Sequence, residues 1–118
     1  MTESPIDQTV LAKLEKIGGA TLVARIIDAF LQHSPPRVAA IVAAQASGDW
    51  GAVERAAHSL ISSSGQLGAA GLSELSRRLE SAARQGDGVL VTSLTPEVER
   101  LYAAVRAGLQ GIRKGIGG

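Results

Sequence analysis

In the segment AHSLISSSGQLGA, residues 57–69, one imidazole interrupts a run of small and apolar residues. His58 is one of two histidines in the chain. A histidine on a helix can ligate a metal, serve in a hydrolytic triad, or simply be a polar surface residue. The pattern speaks against the first two. The other histidine, His33, lies 25 residues away, and there is no cysteine and no second histidine at i+3 or i+4 to complete a ligand pair. No Gly-x-Ser-x-Gly elbow appears, and serines and acids alone do not define a triad. No metal site is expected, and His33, just before Ser34-Pro35-Pro36, is given no chemistry.

Composition narrows the partners. Twelve basic and eleven acidic side chains leave a formal charge of +1. That is too little for a nucleic-acid footprint, which needs a concentrated basic face. The absence of cysteine excludes disulfides, zinc thiolates and thiol catalysis. The start MTESPIDQ has neither a basic cluster nor an apolar run, so it is no signal peptide. No uninterrupted apolar stretch is long enough to span a bilayer, and no glycine-rich nucleotide fingerprint is present. A cytoplasmic protein with no nucleic-acid or membrane partner is expected.

The elements that must hold His58 are helical throughout. With 45% apolar residues in 118, the chain suits one domain, residues 1–118, with its core over about 6–112. Aromatics are only 3%, so Ala, Leu, Val and Ile must build the core, as in closely packed helices. Val10, Leu11, Leu14 and Ile17 share one face of a short first helix. Asp7 is its N-cap, Ile6 its staple and Gly18-Gly19 its end. Val23, Ile26, Ile27, Phe30 and Leu31 continue in phase into Val38, Ile41 and Val42, which predicts one long helix bent at the prolines. The third helix begins at Trp50 and buries Val53, Ala56, Ala57, Leu60, Ser64 and Leu67. Beyond Gly68 a fourth carries Leu72, Leu75, Leu79, Ala82 and Ala83. Residues 85–93 read as a loop, and no segment alternates like a strand for long, VLVTSL at 89–94 being the only, short candidate. Thr95-Pro96 then opens a last helix with Val98, Leu101, Tyr102, Val105 and Leu109. The tail GIRKGIGG is too glycine-rich to stay helical for long. The expected fold is all-α: an antiparallel four-helix bundle with an additional short N-terminal helix.

At about 100° per residue, His58 lies roughly 140° round from Val53 and away from the buried stripe. It therefore points outward. Glu54, Ile61 and Ser62 are its neighbours one turn away, Arg55 lies three residues before it, and Gly51 and Gly65 lie two turns off. Small neighbours leave the imidazole accessible.

The stretch AHSLISSSGQLGAAGLSELSRRLESA also resembles the signature of histidine-containing phosphotransfer domains. Ala57, His58, Leu60, Ser63, Leu67, Gly68, Ala69, Leu72, Leu75, Leu79 and Glu80 fall in register with it, and Phe30 and Gly48-Asp49-Trp50 resemble the family's approach to its histidine helix. The similarity runs loosely over residues 6–110. The resemblance implies a four-helix bundle whose exposed histidine accepts a phosphoryl group from an aspartyl phosphate on a receiver domain and passes it to another receiver. It implies a carrier and not an enzyme, with no ATP site and no cofactor of its own, the Mg²⁺ belonging to the receiver. Partners would be receiver domains of response regulators or hybrid histidine kinases. A neutral imidazole nitrogen has the nucleophilicity the transfer needs.

Two positions depart from the signature. Where the family usually has Lys and Gly, this chain has Ile61 and Ser62. The lysine would offset phosphoryl charge and the glycine would leave room for the receiver. Ile61 puts exposed apolar surface on the docking face instead, and Ser62 supplies a hydroxyl. Arg55 is the nearest cation on the same helix, while Arg77 and Arg84 on the next read equally as further cations or as solvated surface. The implied site is His58 as phosphoacceptor, with Glu54, Arg55, Ile61, Ser62 and Gly65 around it. A free-standing monomeric carrier leads. A related module that docks a receiver or kinase without efficient transfer, or a helical adaptor whose histidine has no chemistry, are the alternatives.

Overall fold

A computed structural model describes residues 4–117. Four helices follow one another: α1 (Gln8–Ser47), α2 (Trp50–Gln66), α3 (Ala70–Arg84) and α4 (Gly88–Ile116). Among the described residues there is no strand. Each helix packs on two others, α1 on α2 and α4, and α3 on α2 and α4, which closes a four-helix bundle. Its long axis of 43 Å matches the length of the 29-residue α4, at about 1.5 Å per residue. No helix among the described residues is long and apolar enough to cross a membrane.

The turns are cut by local chemistry. Asp7, Asp49 and Asp87 cap α1, α2 and α4, their carboxylates accepting from the backbone N–H of Thr9, Ala52 and Leu90. Gly48, in the left-handed region at φ 73°, ends α1. The expected short N-terminal helix is the first part of α1, set off where Gly19 turns to φ 73°, ψ −175°. That turn leaves Ile17, expected on the buried face, 78% exposed. Helix α1 runs on through Pro35 and Pro36, as the phase of its apolar face requires. Beside the prolines the Ser34 hydroxyl bonds the Phe30 carbonyl at 2.6 Å and the Tyr102 hydroxyl at 2.9 Å, tying α1 to α4.

Two boundaries differ from expectation. The loop over residues 85–93 shrinks to a short turn, because Asp87 caps a helix that starts at Gly88. VLVTSL is helical, since burying Val91 and Leu94 against the bundle outweighs the β-propensity of its valines. Thr95 and Pro96 lie inside α4, and the Thr95 hydroxyl donates to the Val91 carbonyl instead of capping. At the other end α4 persists through the glycine-rich tail to Ile116. Half-buried Ile112 packs on the core, and Arg113 bonds Asp28 of α1 at 2.8 Å.

The core is one cluster containing the expected stripes: Ile27, Phe30 and Ile41 from α1, Val53, Ala57 and Leu60 from α2, Leu72 and Leu79 from α3, Val98 and Val105 from α4. Small residues in α2 and α3 let these two helices lie close together. That closeness positions the site.

Candidate functional site

Burial of Val53, Ala57, Leu60 and Ser64 fixes the rotation of α2, and this rotation turns His58 to solvent. Its side chain is 71% exposed. The ring is nevertheless held. Nδ1 lies 2.5 Å from Oε2 of Glu80 on α3, and the Glu80 side chain is only 11% exposed. A carboxylate can only accept, so the shared hydrogen belongs to Nδ1, and in the neutral ring Nε2 then carries the lone pair.

Glu80 does not stand alone, as a largely buried carboxylate must not. Arg84, one turn on in α3, brings Nη2 to 3.4 Å from the same Oε2 and Nε to 2.9 Å from Oε2 of Glu54 on α2. The chain of contacts runs His58, Glu80, Arg84, Glu54 and crosses between the helices twice. The hydrogen bond that Arg84 donates to Glu54, and then the charges of Glu54 and Glu80, raise the Arg84 pKa above its ordinary value, so this cation is permanent. The four side chains, with Gly51 and Arg55, line an open cleft of about 420 Å³.

Of the expected site residues, Glu54 and Arg55 share this cleft with His58. Ile61, Ser62 and Gly65 do not line it; they continue along α2 toward its C-terminal end. Ile61 is half-buried, not exposed, because α3 packs along its side and the Ser73 hydroxyl donates to its carbonyl at 2.9 Å. Ser62 and Gly65 are exposed. Arg77 pairs with Glu74 on its own helix at 3.6 Å, whereas Arg84 joins the site.

Glu80 was not among the expected site residues. It stands 22 residues after His58 on another helix, in register with the signature but with nothing local to show its role. A glutamate next to Leu79, on the edge of a buried stripe, was the available signal.

Chemically, the arrangement holds an accessible imidazole in one tautomer, braces it with a carboxylate and sets two guanidinium groups beside it. An unprotonated Nε2 facing solvent can act as a nucleophile toward an incoming electrophile. The cleft around it is open, which leaves Nε2 within reach of another protein's surface.

Comparison with known proteins bears on the fold and the family. The chain superposes on the crystal structure of histidine-containing phosphotransfer protein B (HptB) from Pseudomonas aeruginosa PAO1 with a TM-score of 0.87 and 29% sequence identity, covering 96% of this chain and 97% of that one. No curated relative matches the sequence. The sequence model of the Hpt domain matches residues 25–108, which include most of the long part of α1, all of α2 and α3 and most of α4. The chain therefore belongs to the Hpt domain family, the histidine phosphotransfer carriers of two-component phosphorelays.

Proposed function

We propose that His58 is the phosphoacceptor, taking a phosphoryl group from the aspartyl phosphate of one receiver domain and delivering it to the aspartate of another. The observation that carries this is the Nδ1 contact to Glu80, 2.5 Å long, on a ring otherwise open to solvent. In the forward step the Nε2 lone pair attacks phosphorus. The bond from phosphorus to the aspartyl oxygen breaks, and its electron pair leaves with the receiver's carboxylate. The ring, now bearing phosphorus on Nε2 and hydrogen on Nδ1, is cationic, and Glu80 faces that charge. On the second receiver a carboxylate oxygen attacks phosphorus, the P–N bond breaks, and the pair returns to Nε2.

The family's usual lysine is Ile61 here, and Arg84 with Arg55 takes its place in this proposal. Both guanidinium groups line the cleft, and Arg84 is already aimed by two carboxylates. Phosphoryl oxygens arriving at Nε2 would compete with Glu54 for Arg84, so the cation is available without a change of backbone. The receiver docks over the exposed face of α2 around His58, with Glu54, Arg55, Ile61, Ser62 and Gly65 beneath it. Mg²⁺ belongs to the receiver's pocket, and the carrier acts as a cytoplasmic monomer without a cofactor of its own.

Incubation with phosphorylated receiver domains tests this. Acid-labile phosphohistidine should form on the wild type and be absent from His58→Gln at unchanged helical content. Equal labelling of the two proteins would move the acceptor elsewhere.

A further inference from the structure

A second cavity, of about 340 Å³, opens between α1 and α2 on the other side of His58 from Glu80. His58 does not line it, although Ser59 does. Its floor is apolar, made by Ile26 with buried Phe30 and Leu67. One wall is a single ridge of α1, Arg25, Ala29, His33 and Arg37, spaced four residues apart. The other is Ser59, Ser63 and Gln66 of α2. Three of the residues that line it, Ala29, Ser59 and Ser63, are small, which leaves space between the helices.

Its charge is one-sided. No carboxylate lines it, and no acidic side chain lies within salt-bridge distance of Arg25 or Arg37 among the described residues. Arg37 is also fixed in place. Its Nε donates to the Ser59 hydroxyl at 2.8 Å and its Nη1 to the His33 carbonyl at 2.8 Å. A guanidinium has five N–H donors, so this anchored group still has donors to offer. An apolar floor, an anchored cation at the rim and no competing anion form a site for an amphipathic anion. The volume lies toward the lower end of small-molecule sites, about 300–1,000 Å³.

We propose that this groove binds a small carboxylate with an apolar body. The carboxylate sits on Arg37, where a planar fork suits it, and the body lies over Phe30, Ile26 and Leu67. Ala29 leaves the space for that body. The site is separate from the cleft of His58 and is filled without any receiver.

Titration of the ¹⁵N-labelled protein with decanoate tests the proposal. Amide shifts should saturate at Ala29, His33 and Ser63. Arg37→Gln should weaken binding about tenfold, the loss of one charge-assisted hydrogen bond. Ala29→Leu should abolish it, with circular dichroism unchanged because Ala29 is exposed. Arg106→Gln, the same change of charge in the cleft between α1 and α4, should leave it unaltered. 1-Decanol should bind at least tenfold more weakly than decanoate. The site is overturned if the shifts do not saturate, if decanol binds equally well, if Ala29→Leu binds like the wild type, or if only anionic phospholipid vesicles and not soluble decanoate are bound.

Discussion

Nδ1 of His58 and Oε2 of Glu80 lie 2.5 Å apart across the α2–α3 interface, one side chain open to solvent and the other nearly closed from it. This pairing reconciles two demands that the proposed role of His58 makes. The nucleophile must be reachable by another protein, yet it must present one nitrogen in one direction. Exposure alone would leave the ring free to rotate and to exchange tautomers. A buried acceptor on the neighbouring helix removes that freedom without covering Nε2.

Replacing Glu80 therefore has a spectroscopic signature as well as a kinetic one. Long-range ¹H–¹⁵N correlation should show the Nδ1–H tautomer dominant in the wild type and no longer enforced in Glu80→Ala. Phosphoryl acceptance should slow about tenfold, the worth of one hydrogen bond to a charged group. Glu80→Gln keeps an acceptor oxygen and should fall between the two. If tautomer and rate both ignore the substitution, Glu80 serves packing alone.

The absent lysine leads to a paired test. Arg84→Ala should lower the steady level of phospho-His58 several-fold, because a cation beside a partly exposed phosphoryl group contributes on the order of 1 kcal/mol. Ile61→Lys, made in that background, should restore it. Arg55→Ala reports whether the second cleft cation shares the task. Unaltered levels in all three proteins would leave the chemistry to the histidine and the receiver's own pocket.

What could be read from the sequence follows how local each cause is. The outward direction of His58 needs only the phase of Val53, Ala57 and Leu60, and the structure bears it out. Asp7 sits directly before the helix it caps, so its role was legible too. Glu80 was not, because its role depends on how α2 and α3 are set against each other. The start of α4 was misplaced for a related reason. Thr95-Pro96 is a sound local start signal, but Val91 and Leu94 are buried by the bundle, and that burial carries the helix back to Asp87. Ile17 fails in the opposite sense: its periodicity is correct, but the turn at Gly19 ends the surface it would have packed on.

The N-cap at Asp7 makes a prediction in acid. Its carboxylate accepts from the Thr9 hydroxyl and the Thr9 backbone N–H, and Lys13 adds a weaker attraction, so its pKa lies below the ordinary carboxylate value. A depressed pKa means that the unfolded state takes up the proton first. The stabilisation is then complete above the unfolded value and is lost as pH falls through the lower, folded one. The difference in melting temperature between wild type and Asp7→Asn, followed from about pH 6 to about pH 2, should shrink toward the acid end. A difference that stays constant over that range would mean that the charge on Asp7 plays no part.

Gly68 joins the N-terminal segment to the site-bearing pair of helices, and its substitution separates two kinds of strain. The backbone N–H of Asp7 donates to its carbonyl at 2.8 Å, and its φ of 78° is one that side-chain-bearing residues rarely adopt. A Cβ here would also stand 2.7 Å from the Asp7 carbonyl oxygen and 3.0 Å from Cβ of Val10. Gly48, at φ 73°, has nothing within 4 Å of such a Cβ. Gly48→Ala should therefore lose only the conformational part, about 1–2 kcal/mol. Gly68→Ala must in addition push the N-terminal segment off the α2–α3 turn, so its loss should be clearly larger, toward or beyond about 3 kcal/mol. Urea denaturation of both variants gives the comparison directly. Equal losses would show that the N-terminal segment yields to a methyl group without resistance, and that Gly68 is required for its backbone angle alone.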